Sequence, residues 1–386
     1  MDTIESMVSP GPPGTEPPPA PPRSWLRRLA VVILVVIGLV VASTYIHLPY
    51  DAISPGSATP VNDYIVAPKG SAFPPKGKVL LLTVSFREEI SPLDYLVSSI
   101  DGDTQVISKK DINAGVPKGQ NLTQYNRQLM DDSEQAAVVV ALRKLGYPVT
   151  ETGDGAFVLQ VTKAGPSANH LTAGDTITSV GGLPVHTLEE ATTTIRSHKP
   201  GDAVPVTVHP GRGPDRTEQL IVGHRVTTDG RPTCTTSPDP AAQAADACLG
   251  VVIQTRNQNF QLPVKVKIDA GNIGGPSAGL SFTLGVIDQL TPGELTGGQE
   301  VAVTGTIELD GSVGPVGGVK QKTAAALAAG ARYFLVPPDE YNEAVARAKG
   351  HNLTVLKVST LDEALATLGR LGGDVSVVSA RPASGQ

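Results

Sequence analysis

The sequence predicts an α+β fold carried behind a single membrane-spanning helix. Three observations lead there. An uncharged apolar run, LAVVILVVIGLVVASTYI, stands near the N-terminus. After it, short segments rich in Val, Ile and Thr are interspersed with helical segments that carry their own start and stop residues. In the last third of the chain, two glycine-rich turns each open a helix.

Residues 1–28 are dominated by Pro, Gly and Ser, as in PGPPGTEPPPAPP. Such a stretch buries little apolar surface, so a disordered cytoplasmic tail is expected. Residues 29–46 are the transmembrane helix: at ~1.5 Å per residue they nearly cross a ~30 Å hydrocarbon core. Arg23, Arg27 and Arg28 precede the run, with Trp25 and Tyr45 near its ends. The positive-inside rule places the N-terminus in the cytoplasm and the rest of the chain outside the cell membrane, as a single-pass protein. A cleaved signal peptide is the alternative, although the run exceeds the ~7–15 residues of a usual signal core. Across all 386 residues, 41 Gly and 33 Pro indicate loop-rich structure, and 4% aromatic content leaves the cores to Val, Leu, Ile and Ala. A net charge of −6 with no basic block beyond residue 28 argues against nucleic acid as a partner.

Residues 47–76 read as a connector. GKVLLLTVSF (Gly77–Phe86) then reads as a strand, bounded by Gly and Pro before and charges after. DDSEQAAVVVALRKL (Asp131–Leu145) reads as a helix stopped by Gly146. Residues 146–224 form a second unit with a strand, a turn, a strand, a helix and two more strands. Its residues Gly165-Pro166-Ser167-Ala168, then Leu171, Gly174-Asp175 and Ile177, then Gly181-Gly182 and Pro184-Val185, resemble a bacterial PDZ domain. The resemblance implies binding of an extended C-terminal peptide on a strand edge. Its carboxylate would sit in the loop Leu145-Gly146-Tyr147-Pro148-Val149. A spacer role is the alternative. Residues 225–247 read as a linker. The only two cysteines, Cys234 and Cys248, flank most of it and are expected as a disulfide in an extracytoplasmic setting, free thiols being the alternative. No further ligand-type residues accompany them at metal-site spacing, so no metal is expected.

Chemistry is concentrated in residues 248–372, ahead of a tail at 373–386. GNIGGPSAGLSFTLGVIDQL (Gly271–Leu290) is a glycine-rich turn feeding a helix. Ser277 falls near the helix start, where unpaired N–H groups and the helix dipole favour a developing oxyanion; Gly274, Gly275 and Pro276 shape that loop. The same tetrapeptide GPSA occurs around Ser167, but with no second glycine and no downstream partner, and there reads as structural. Serine needs a base. No histidine sits in a comparable motif, whereas GGVKQKTAAALAAG offers Lys320 at a helix start, where burial and the positive helix end would disfavour its charge. Lys322 competes, but on a helix it points away from Lys320 and reads as a solvated surface lysine.

GGPSAG together with GGVKQKTAAALAAG, Thr304-Gly305 with Ile307, and the run Gly311 to Gly318 resembles the catalytic domain of Lon proteases, which use a Ser–Lys dyad. The resemblance implies Ser277 as nucleophile, Lys320 as general base 43 residues on, and Thr304 as support for the lysine. Gly274 stands where such domains commonly carry Asp. The early strand and helix at 77–145 match the opening of a Lon domain, so the PDZ unit reads as an insertion within one protease domain. No Gly-x-x-x-x-Gly-Lys-Ser/Thr phosphate loop occurs, so neither ATP nor another cofactor is expected. The resulting expectation is an ATP-independent extracytoplasmic serine endopeptidase acting on unfolded proteins or peptides. A PDZ scaffold on a catalytically silent Lon-type fold is the rival. Lon domains often form rings, which makes a homo-oligomer a further expectation by resemblance.

Overall fold

The computed structural model of the chain describes residues 23–379, except 69–71, 75, 164, 229–230, 238, 240–241 and 244–245. The expected tails therefore fall largely outside the described residues, at 1–22 and 380–386. The apolar run folds as helix α1 (Arg23–Ser43), long and apolar enough to cross a membrane.

The connector expected at 47–76 is in part a strand, β1 (Tyr50–Pro60). It pairs antiparallel with β2 (Lys78–Arg87), the strand foreseen in KVLLLTVSF. Val79 and Leu81 point into one core and Leu80 and Leu82 into another. A strand covered on both faces needs an unbroken apolar run, which this segment has. Helix α2 (Pro92–Ile100) and strand β3 (Gln105–Ser108) follow, β3 pairing with the other edge of β1. Helix α3 (Leu122–Lys144) starts nine residues earlier than the sequence suggested, because the Asn121 side chain accepts from the Gln124 N–H and caps it there.

The inserted unit is an antiparallel sheet with one helix: β4 (Ala156–Val161), β5 (Thr176–Val180), α4 (Leu188–Arg196), β6 (Ala203–His209), β7 (Arg216–Ile221) and β8 (Val251–Thr255), in the order β7-β6-β5-β4-β8. Its core is separate and rests on Leu171, Ile177, Val206 and Leu220. The segment 225–247, expected as a linker, includes paired strands at Gly223–Thr228, Arg231–Thr235 and Ala247–Cys248. Cys234 and Cys248 are joined there, their Cα atoms 6.1 Å apart.

The chain then returns to the first unit with α5 (Gly279–Leu290), β9 (Glu300–Val303), α6 (Val319–Ala328), β10 (Tyr333–Val336), α7 (Tyr341–Ala348), β11 (Thr354–Lys357) and α8 (Leu361–Arg370). These strands complete a six-stranded sheet in the order β11-β10-β9-β2-β1-β3. The join lies between β9 and β2, which run parallel with Glu300 opposite Lys78 and Val303 opposite Leu81. Residues from before and after the insertion thus share one sheet. They also share one core, where Ala137, Val140 and Leu142 of α3 meet Leu280, Phe282 and Leu284 of α5. Helices α6 and α7 cover the opposite face.

Candidate active site

The turn before α5 is fixed from two sides. Gly275 adopts φ 88°, a left-handed conformation that glycine enters without steric cost, and its N–H donates to the Asn126 carbonyl on α3 at 2.8 Å. Ser133, two turns further along α3, donates its hydroxyl to the Pro276 carbonyl at 3.1 Å. From the other side, the Ser277 carbonyl accepts from the Gly305 N–H at 3.1 Å and from Thr304 Oγ1 at 3.2 Å. Ser277 occupies a short 3-10 turn, Pro276–Ala278, and is half-buried at the wall of a cleft of about 790 Å³. Gly274 lies so close to α3 that a Cβ there would stand 3.1 Å from that of Asn126. A side chain in place of this glycine would push on the helix.

The lysine that reaches this cleft is Lys322, not Lys320. Gly318 takes φ 68° and starts α6 directly against β2, where a Cβ would meet Val84 at 2.9 Å. From that start, Val319, Lys322 and Ala326 fall on one buried stripe. The Lys322 side chain is 2% exposed, and its Nζ donates to Thr304 Oγ1 at 3.2 Å. Burial pushes its pKa down to about 8, with the Glu340 carboxylate acting weakly in the opposite sense. Lys320, two positions earlier, points elsewhere. It is partly exposed and within electrostatic reach of Asp103, which is itself paired with Arg347 at 2.6 Å. The assignment of Lys320 as base is therefore corrected on geometry. The sequence signal was present: Lys322, not Lys320, shares helical phase with the apolar residues that open and continue α6.

Thr304 is fully buried and touches both partners, accepting from Lys322 and donating to the Ser277 carbonyl. Of the expected oxyanion loop, Pro276 has no N–H and Gly275 gives its own to Asn126. Ser167, in the other GPSA, is far from this chemistry. It is fully buried in the inserted unit, its N–H donates to the Leu249 carbonyl at 3.0 Å, and its hydroxyl has no partner among the described residues.

The loop expected to hold a peptide carboxylate, Leu145–Val149, is the C-terminal cap of α3. Gly146 takes φ 75°; its N–H donates to Arg143 O, that of Tyr147 to Leu142 O and that of Leu145 to Ala141 O, all at 3.0 Å. This Schellman arrangement uses the very amides a carboxylate would need, and Pro148 adds none. Tyr147 and Val149 pack instead on the protease core. One edge of the inserted sheet is β8, beside α4, with the turn Leu249-Gly250 at its start and Gly250 at φ 71°. The motif Leu-Gly followed by Val-Val-Ile signals this turn and strand, and the sequence reading had placed it in the catalytic part.

No group of three or more His, Cys, Asp or Glu side chains placed to hold a metal occurs among the described residues.

Comparison with known proteins agrees with the two units. Residues 143–217 match the PDZ domain model, and residues 243–369 match the Lon protease (S16) C-terminal proteolytic domain. Strand β8 falls within the second match yet completes the sheet of the first. A Lon protease of Chloroflexus aggregans is 40% identical over 96 residues, which is 23% of this chain and 11% of that protein. Lon protease 1 of Sorangium cellulosum is 35% identical over 133 residues, or 34% and 16% of the two chains. The chain thus spans only a small part of the curated relatives it matches. The PDZ domain of an SdrC-like protein from Listeria monocytogenes is 24% identical over 26% of this chain and 90% of that one, with a TM-score of 0.21, too low to rest an argument on. The chain carries a PDZ domain and a Lon-type proteolytic domain, the kind of domain that implies a serine peptidase.

Proposed function

We propose that this chain is an ATP-independent, membrane-anchored serine endopeptidase in which Ser277 is the nucleophile, Lys322 the general base and Thr304 the residue that positions the base. The observation that carries the reading is the burial of Lys322 in the cleft of Ser277, with Thr304 hydrogen-bonded to both residues. A lysine with a pKa near 8 holds a usable lone pair close to neutral pH.

In the first step the neutral amine of Lys322 takes the proton of Ser277 Oγ as that oxygen attacks the scissile carbonyl carbon. The oxyanion forms beside the turn ahead of α5, where the Gly274 and Ser277 N–H groups are the candidate donors. The resulting ammonium returns the proton to the departing amine as the C–N bond breaks, leaving an acyl-serine. Water then attacks the ester, Lys322 again relaying the proton, and Ser277 is restored. The net reaction is hydrolysis of one peptide bond.

The floor of the cleft supports an extended polypeptide as substrate. Strand β2 pairs with β9 from Lys78 as far as Leu81, while its remainder pairs with β1 alone among the described residues. Leu82, Thr83, Val84 and Phe86 line the cleft, so a substrate segment can lie along this one-sided strand as an added strand. The PDZ domain fits a C-terminal peptide laid against β8 and α4, its carboxylate at the Leu249-Gly250 turn. Helix α1 as a retained anchor, with the N-terminus cytoplasmic, places the proteolytic domain outside the cell, where ATP is scarce.

The test is fluorophosphonate labelling of the purified full chain, with mass spectrometry of the modified peptide and peptide hydrolysis measured without ATP. Label on Ser277, lost in Ser277→Ala and kept in Ser167→Ala, is the expected result. An unlabelled Ser277 in folded protein, with no hydrolysis, would instead establish a silent scaffold.

A further inference from the structure

Helix α2 wears its amphipathicity outward. Leu93, Leu96, Val97 and Ile100 recur at the three- and four-residue spacing of one helix face. That face is exposed: Leu96, Val97 and Ile100 are 58%, 59% and 77% accessible. The residue the helix buries is Ser98. A surface helix of a soluble domain does the reverse, so this stripe lacks its partner. The helix is nonetheless well made, with Pro92 in its first turn and a capping box in which Ser91 and Asp94 each accept from the other's backbone N–H. The stripe carries no charge. Asp94, the one ionised residue of the helix, is engaged with Ser91 and Arg87.

The position of α2 identifies what covers it. Helix α1 ends at Ser43, and the Leu48 N–H donates to the Ile90 carbonyl at 3.0 Å, two residues before α2 begins. Five residues at full extension reach about 18 Å, so α2 cannot begin far from the point where the chain leaves the bilayer. Tyr45 is exposed beside that exit, and Tyr95 of α2 packs edge-to-face on Tyr50, their centroids 5.4 Å apart. Tyrosines of this kind suit the headgroup region.

We infer that α2 lies in the membrane interface, its Leu93–Leu96–Val97–Ile100 stripe inserted among the lipids beside α1, so that the protease unit is docked on the bilayer at two points. This rests on α1 being a retained anchor. The segment that follows α2 supplies Ile112, Gly115 and Val116 to the wall of the catalytic cleft. Docking therefore fixes at the membrane the helix from which that segment departs.

Site-directed fluorescence on the full chain tests this. The two native cysteines are joined, so an introduced cysteine is the single free thiol. Ile100→Cys and Tyr45→Cys would each be labelled with an environment-sensitive dye. The chains would be reconstituted in phosphatidylcholine–phosphatidylglycerol vesicles with or without lipids carrying a nitroxide high on the acyl chain. A side chain seated ~5–10 Å into the headgroup–acyl boundary should lose at least about half its emission to that nitroxide. Both labels are expected to do so. Quenching at Tyr45→Cys without quenching at Ile100→Cys overturns the docking while leaving the anchor intact. Quenching at neither site overturns both. A label at Ile100→Cys that is shielded from water yet indifferent to the nitroxide, and exposed on dilution of the protein in the vesicles, assigns the stripe to a second copy of the chain and also overturns the inference.

Discussion

Replacing Lys322 with methionine should remove activity and at the same time stabilise the protein. The folded-state pKa of about 8 lies below the ordinary 10.5, because the ammonium is buried. Between those two values the unfolded chain binds more protons than the folded one, so stability rises with pH across that window. Below pH 8 both states are protonated and the cost of the buried charge is fully present. A gap of that size corresponds to about 3 kcal/mol at ~1.36 kcal/mol per pKa unit. Methionine has similar reach and no charge. It gives up the hydrogen bond to Thr304, worth about 1 kcal/mol, so the net gain at pH 7 is about 2 kcal/mol. Thermal unfolding and peptide hydrolysis, measured on the same preparations, read the two effects. In the unaltered protein the free amine, and with it kcat/KM, should rise roughly fivefold between pH 7 and 8, about twofold more by pH 9, and then level off. Lys320→Met should keep near-normal turnover. If Lys322→Met retained turnover, or if Lys320→Met were the inactive variant, the assignment drawn from burial would be wrong.

Two other substitutions probe the helix that follows Ser277. Asp288 on α5 is 1% exposed and burial raises its pKa to about 6, against the Leu295 N–H and the Asn62 side chain, which favour its charged form. Here the folded state binds more protons between the ordinary 3.8 and 6, so stability falls as pH rises through that window and the cost is fully present above it. Asp288→Asn keeps the acceptor for the Leu295 N–H and should gain ~1–3 kcal/mol at pH 7.5 with little change at pH 4, measured by urea unfolding. Gly279→Ala places a Cβ 2.8 Å from Ile307 Cγ2 and 2.9 Å from both Ile307 N and Ser133 Oγ. It should cost ~1–3 kcal/mol and lower kcat by shifting the Ser277 turn, and unchanged kcat would show that the turn tolerates movement of α5.

The central strand and the Ser277 turn were legible because their constraints are local. KVLLLTVSF must be buried on both faces, and GGPSAG must turn sharply into a helix. Strand β1 was not legible: Pro55, Gly56 and Pro60 argue against a strand inside a sheet. The fold admits them through a bulge between Pro55 and Ala58, where Gly56 lies so close to Thr83 that a Cβ would meet its Oγ1 at 2.5 Å. Lys320 was preferred to Lys322 for a different reason. Two lysines two residues apart on a helix differ in face, and the choice depends on which face meets the sheet. That is a tertiary fact, though the phase shared by Val319, Lys322 and Ala326 hints at it. The loop Leu145–Val149 read as a carboxylate cradle because a Gly ending a helix and a Gly cradling a ligand share a sequence signature. Only the helix carbonyls that Leu145, Gly146 and Tyr147 satisfy tell them apart.

The way the PDZ unit enters and leaves explains how the sheet and core shared by the residues before and after it survive the interruption. The outgoing chain at Thr150–Thr152 and the returning chain at Asn259–Gln261 pair antiparallel, with Glu151 opposite Phe260. The ends of the insertion are thereby held together, and the protease core sees one closed ribbon instead of two loose strands. On the core side of the ribbon, Tyr147 and Val149 going out and Leu262 and Val264 coming back all pack against that core. The far side is tied down through Glu151, which accepts from Thr255 Oγ1 at the end of β8 at 2.7 Å and from Gln258 at 2.9 Å. Glu151 also faces Arg143 of α3 at 3.8 Å, and the Arg143 guanidinium stands over the Phe260 ring. Helix α3 therefore holds the foot of the PDZ domain with its last turn and the Ser277 turn, through Asn126 and Ser133, with its earlier ones. The insertion follows the C-cap of a helix that contacts both sites. Strand β8, the edge on which a C-terminal peptide would be laid, ends at the residue that reaches this helix through Glu151.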